Sequence, residues 1–198
     1  TDSYRLAVCD TQVETSSLEG SFELNVPADA FNDALAITGG QGSILIGSTD
    51  TQVVFVAGNT TYVARRIEGM YPNYKALLPA SCATTVKIDV AALTSALKRV
   101  STVAQANSAV KFDISVETGQ MMLSAISNDQ DAATATVEVE AEGASGVIAF
   151  NYHYIFGCLN VLSREKEITL ELQSYNQAGV FKSYDKINYL YLVMPVRI

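Results

Sequence analysis

The sequence has little of what catalysis and metal binding draw on: one histidine, three cysteines and no tryptophan. His153 stands among Tyr152, Tyr154 and Phe156, with no cysteine or carboxylate at metal-ligand spacing, so no metal centre is expected. Cys9, Cys82 and Cys158 are odd in number and include no CxxC pair. That argues against a disulfide framework and fits a reducing, cytoplasmic setting. Basic residues are also scarce, 13 against 21 acidic, for a net charge of -8. A domain that grips DNA through its phosphates is basic, so any DNA contact here should be loose or local. No apolar run reaches the roughly 18 residues of a membrane span, so no membrane partner is expected. The start, Thr1-Asp2-Ser3-Tyr4-Arg5-Leu6, has neither an initiator Met nor a secretory leader and reads as the interior of a longer protein.

Apolar residues are plentiful. At 198 residues, 48% hydrophobic and 17% charged, the chain can bury one large core or two small ones. Its apolar residues follow a unit of about sixty residues that recurs three times. Each copy opens with a short alternating strand, runs straight into a helix, and continues with two or three further strands. In the first copy Phe22, Leu24 and Val26 alternate. Pro27 suits a helix start, Phe31, Ala34, Leu35 and Thr38 keep helical spacing, and Gly39-Gly40 stops the helix. Strands are expected near Ile44–Ile46, Val53–Val56 and Tyr62–Ile67. The second copy has Val86 and Ile88, then Asp89 as N-cap. A stripe of Val90, Leu93, Leu97 and Val100 follows, with strands at Val110–Val116, Met121–Ala125 and Thr134–Ala141. The third has Val147–Phe150, Asn151 as cap, a helical face of Ile155, Cys158, Leu159 and Leu162, and strands at Ile168–Leu172, Gly179–Lys182 and Tyr189–Val193. The expected class is α+β, repeated βαβββ units with one helix each packed on one face of antiparallel sheet. Two units pair into a domain, which leaves the first as a half. The boundary is expected near Pro79–Thr84, giving portions 1–80 and 81–198.

No cofactor signature emerges. Gly39-Gly40-Gln41-Gly42 lacks a phosphate-loop lysine and follows a helix where a nucleotide fingerprint precedes one. Asn128, Asp129 and Asp131 lack the glycine and closing glutamate of a calcium loop. Cys82 and His153 could form a dyad only through folding. No catalytic residue is expected.

Three stretches resemble the bacterial DNA sliding clamp, the beta subunit of DNA polymerase III. They are Thr1-Asp2-Ser3-Tyr4-Arg5-Leu6; Arg66-Ile67-Glu68-Gly69-Met70-Tyr71-Pro72-Asn73-Tyr74 with Leu77-Leu78-Pro79; and Val193-Met194-Pro195-Val196-Arg197-Ile198. The likeness covers essentially the whole chain. It implies the DNA-clamp fold, with 1–80 as part of a middle domain and 81–198 as the C-terminal domain. It further implies a processivity factor without enzymatic activity. Two three-domain chains close into a ring around duplex DNA, which is held by topology and independently of sequence. Clients are the polymerase III catalytic subunit, the clamp loader and repair proteins, which dock short apolar-ended motifs.

By motif, one deep sub-pocket uses Thr1, Tyr4, Arg5, Leu6, Pro72, Leu77, Leu192 and Met194, with Ser3 on its rim. A shallower part uses Asn151, Tyr154 and the end Met194, Pro195, Val196, Arg197. Ser3-Tyr4 stands where Gly-His is commoner, and Ala76 where a second basic residue is common. Helical phase turns Ser95, Lys98, Arg99 and Thr102 away from the sheet, so Lys98 and Arg99 would face DNA. Asp29, Asn32 and Asp33 on the first helix depart from the basic residues common there. The subunit seam is expected at Thr102, Val103 and the strand from Val110. Without a first domain this chain is not expected to close a ring, and should measure as monomers or adventitious dimers. Two other readings stay open: a free-standing peptide-binding adaptor unrelated to DNA, and an enzyme using Cys82 and His153.

Overall fold

The computed structural model describes residues 1–11, 23–39, 42–104, 108–126 and 132–197. The chain divides into two compact units, one of Thr1–Val13 with Ala76–Ile198 and one of Glu14–Lys75. The elements run β1 (Arg5–Asp10), α1 (Ala28–Thr38), β2 (Leu45–Ser48), β3 (Gln52–Ala57), β4 (Thr60–Arg65), a short 3-10 turn (Tyr74–Leu77), β5 (Thr84–Asp89) and α2 (Val90–Ser101). They continue with β6 (Ala109–Ser115), β7 (Gln120–Ile126), β8 (Ala132–Glu142), β9 (Gly146–Asn151), α3 (Tyr152–Val161), β10 (Glu167–Leu172), β11 (Gly179–Ser183) and β12 (Asn188–Val193). The second and third repeats are thus β5-α2-β6-β7-β8 and β9-α3-β10-β11-β12, in the expected order.

The larger unit is a nine-stranded sheet in the order β1-β12-β11-β10-β5-β8-β7-β6-β9. Its two repeats exchange strands: β5 pairs with β10 of the other repeat, and β9 with β6. One core fills the unit, with Val90, Leu93, Leu97 and Val100 of α2 and Ile155, Cys158 and Leu159 of α3 meeting sheet residues such as Phe112, Leu123, Phe150 and Phe181. The phenylalanines meet edge to face, Phe112–Phe150 at 5.4 Å and Phe150–Phe181 at 6.0 Å. Both helices begin at side-chain caps. Asp89 accepts from the Ala92 amide at 2.7 Å and Asn151 from the His153 amide at 2.9 Å. Each satisfies a backbone donor the helix leaves over. Glu165 is buried, accepting from the Ser183 hydroxyl at 2.9 Å and the Lys186 amide at 3.2 Å, which ties the turn after α3 to the end of β11.

The smaller unit holds α1 and the sheet β2-β3-β4. Ala30, Ala34, Val53 and Phe55 form its core, with Leu24, Val26, Ile44, Tyr62 and Ala64 packed against it. Two expectations differ here. Leu24 and Val26 pack as expected, but residues 23–27 form no strand; Phe22 lies outside the described residues. The buried stripe of α1 is Ala30 and Ala34, while Phe31 and Leu35 are largely exposed. Small residues let α1 approach the sheet closely, and Phe31 meets Phe55 edge-on from the side at 5.5 Å. Gly39 ends α1 in the left-handed conformation, as a helix-stop glycine does. Gly40, Gln41, Asn128, Asp129 and Asp131 lie outside the described residues.

Candidate functional site

One seam of the larger unit brings together three segments distant in sequence. β1 pairs antiparallel with β12, setting Arg5 opposite Val193 and Leu6 opposite Leu192. Beyond the strand the Met194 amide donates to the Tyr4 carbonyl at 2.8 Å, and the Val196 amide donates to the Ala149 carbonyl on β9 at 2.9 Å. The C-terminal segment therefore ties β1, at one edge of the sheet, to β9, at the other.

The first residues are locked by Asp2. Its carboxylate accepts from the amides of Tyr4 and Arg5 at 2.8 and 3.0 Å, and pairs with the Arg5 guanidinium at 3.0 Å. The Thr1 hydroxyl donates to the Arg5 carbonyl at 2.9 Å. Burial pushes the Asp2 carboxyl up, but these bonds outweigh it and hold it below its ordinary value. The Asp2 bond in turn raises Arg5. Arg5 lies over the Tyr154 ring, 4.6 Å from its centre, and Tyr4 stacks on the same ring at 6.2 Å. Tyr191, whose phenol is raised by burial, donates to the Tyr154 carbonyl at 3.0 Å. A concavity of about 260 Å³ opens here, lined by Thr1, Asp2, Arg5, Ala7, Gly157 and Tyr191.

Most of the expected pocket residues of the larger unit meet at this seam. Thr1, Ser3, Tyr4, Met194 and Arg197 are exposed; Arg5, Asn151, Tyr154, Pro195 and Val196 are half-buried. Tyr4 is 59% exposed and Met194 44%. Leu6 and Leu192 are instead 3% and 6% exposed. Strand register puts them, with Val180, on the sheet face opposite Tyr191, Phe181 and Leu170 of the main core. They form a small apolar layer of their own. Leu77 is exposed at the end of the 3-10 turn. Pro72 belongs to the smaller unit, in a concavity shared with Glu23, Leu24, Asn25, Tyr71, Asn73, Tyr74 and Lys75. Asp2, Gly157 and Tyr191 escaped the sequence reading. Asp2 was legible as a carboxylate three residues before an arginine; Gly157, where an added Cβ would come within 3.4 Å of Arg5, and Tyr191 carry no such sign.

Lys98 and Arg99 are exposed in the last turn of α2, where cations suit the helix dipole. Thr102 is exposed, its hydroxyl bonded to the Arg99 carbonyl at 2.8 Å, and Val103 is half-buried. The Cys82 thiol contacts the Thr84 carbonyl at 3.0 Å and the Thr85 hydroxyl at 3.3 Å, while exposed His153 lies against Tyr152 at 4.1 Å. Among the described residues these two share no contact. No group of three metal-ligating side chains occurs among them, and no helix is long and apolar enough to cross a membrane.

With this geometry in hand, comparison with known proteins decides the family. Residues 75–197 match the model of the C-terminal domain of the DNA polymerase III beta subunit, and residues 1–73 match that of its central domain. The chain belongs to the beta sliding clamp family. The Synechocystis beta sliding clamp is 32% identical over the whole of this chain and 54% of its own length. The solved DNA polymerase III beta subunit of Thermotoga maritima superposes with a TM-score of 0.87 at 26% identity, covering all of this chain and 53% of that one. The Bartonella birtlesii sliding clamp, solved bound to griselimycin, shares the fold with a TM-score of 0.89 at 24% identity, again over all of this chain and 53% of its own. The architecture is the DNA-clamp fold, α+β with helices packed on antiparallel sheets. The chain spans about half the length of the curated relatives it matches.

Proposed function

We propose that this chain is the client-docking part of a sliding clamp, a processivity factor that binds partners and performs no chemistry. The observation that carries the reading is the seam itself: the first six residues, β9 and the tail after β12 are stitched together at Tyr4–Met194 and Ala149–Val196. Exposed Tyr4 and Met194 sit at that stitch, and a flexible thioether beside an aromatic ring suits an adaptable apolar socket. Tyr4, Arg5, Leu6, Leu192 and Met194 form the deep part, reached when Met194 swings aside to uncover Leu6 and Leu192. Asn151, Tyr154 and Met194–Arg197 guide the rest of an extended peptide, with Leu77 contributed by the 3-10 turn.

In the longer protein, residues 1–80 belong to a middle domain and 81–198 form the C-terminal domain. The assembled ring is a homodimer in the cytoplasm, Lys98 and Arg99 touch DNA loosely, and the subunit seam runs through Thr102 and Val103. The clients are the polymerase III catalytic subunit, the clamp loader and repair proteins. Titrating a fluorescent clamp-binding pentapeptide tests the docking claim. Saturable binding that Met194→Ala weakens by about tenfold, equivalent to about 1.4 kcal/mol, is expected. Binding untouched by Met194→Ala would move the site elsewhere.

A further inference from the structure

β12 serves both faces of the sheet. Leu192 lies on the outer face with Leu6, while Tyr189, Tyr191 and Val193 alternate onto the inner face and its core. β1 answers them in register, with Arg5 opposite Val193, Ala7 opposite Tyr191 and Cys9 opposite Tyr189. Ala7 is small. Arg5, two residues away on the same face of β1, therefore has room to reach diagonally toward the Tyr191 ring.

Tyr191 is only 4% exposed, yet its phenol meets two other elements. It donates to the Tyr154 carbonyl, in the first turn of α3, at 3.0 Å. It also meets the Arg5 guanidinium, and the two line one concavity with Gly157. Burial raises the phenol and the hydrogen bond from Arg5 draws it back. Arg5 in turn lies 4.6 Å from the centre of the Tyr154 ring and is pinned by Asp2 at 3.0 Å. Tyr191, the Tyr154 turn and Arg5 thus hold one another in a ring of three contacts. Gly157, further along α3, leaves the space for Arg5, since a Cβ there would come 3.4 Å from Arg5 Nη1. Alanine would touch the guanidinium at an ordinary distance, but a longer side chain would drive it off the Tyr154 ring.

We propose that Tyr191, though it touches no client, is a positioning residue of the docking seam. Its phenol ties the first turn of α3 to Arg5 and so presets Tyr154 and Tyr4 for an extended peptide. The inference rests on the docking reading above and adds that the seam is organised from its inner side. A peptide that meets a preset ring and cation loses less freedom than one that must order them on arrival. Removing the phenol therefore weakens binding, chiefly by faster dissociation. The apolar pair Leu6 and Leu192, on the opposite face of the strands, stays as it is.

Tyr191→Phe keeps the ring and removes only the hydroxyl. Titration with the fluorescent clamp-binding pentapeptide should show affinity lowered about fivefold, the size of one ordinary hydrogen bond, with stopped flow placing the loss in dissociation. Tyr189→Phe, which takes a phenol from the same strand, should bind like the unaltered chain. With Arg5→Ala already in place, Tyr191→Phe should cost little more, because the group it steers is gone. Gly157→Leu should weaken binding as Tyr191→Phe does, and Gly157→Ala should not. In the free protein, the Arg5 δ-methylene resonances should leave their ring-shifted positions in both Tyr191→Phe and Gly157→Leu. Unchanged affinity in Tyr191→Phe overturns the inference and leaves the docking reading standing. A loss just as large without Arg5 also overturns it, since Tyr191 would then act on structure alone. A peptide that the unaltered chain does not bind sinks the docking reading itself, and this inference with it.

Discussion

At the scale of single residues, Asp2 organises the seam. It accepts two backbone amides and the Arg5 guanidinium, and Arg5 in turn covers Tyr154. Because the folded carboxyl sits below its ordinary value, its contribution is present at neutral pH. It is lost as pH falls through that lowered value, below the ordinary carboxylate range of about 4. The pair is partly exposed, so the effect on global stability is expected to stay within about 1 kcal/mol. NMR titration of the Tyr4 and Arg5 amides should show both moving together in acid. In Asp2→Asn that joint transition should vanish. Cys158 is buried beneath α3 with its thiol pushed upward by burial, and is expected to resist alkylation until the unit unfolds.

At the scale of elements, caps and strand exchange fix the larger unit. Asp89 closes β5 and opens α2 in one residue, so Asp89→Ala should cost about 1 kcal/mol, read as a lowered chemical-denaturation midpoint with unchanged slope. Leu97 is fully buried beneath α2, and Leu97→Ala should cost about 2–5 kcal/mol by the same measurement. The elements of both complete repeats were legible because alternating and helical periods are written locally: Val90, Leu93, Leu97 and Val100 are all buried as their spacing implied. Where the reading failed, the cause lay beyond local sequence. Leu24 and Val26 alternate as a strand does, but a strand needs a ladder, and here the Asn25 carbonyl accepts from the Ile67 amide while the Asn25 side chain donates to the Gly69 carbonyl. Phe31 and Leu35 fit a helical stripe, yet alanine faces the sheet because it allows closer approach. The partner of β1 was invisible too, since nothing in residues 5–10 encodes β12.

For the whole molecule, the resemblance named the family, and the matches to the central and C-terminal domains of the beta subunit bear it out. The seam was only half legible. The motifs named Tyr4, Tyr154 and Met194, but Leu6 and Leu192 close against each other across β1 and β12, which depends on register alone. On the proposed function, docking a client would have Met194 move and this pair become reachable. The most direct measurement follows the methyl resonances of Met194, Leu6 and Leu192 during titration with a clamp-binding pentapeptide. All three should shift along one saturating curve, while fully buried Leu123 of β7 stays put. Saturable binding that leaves those three methyls unmoved would contradict the account.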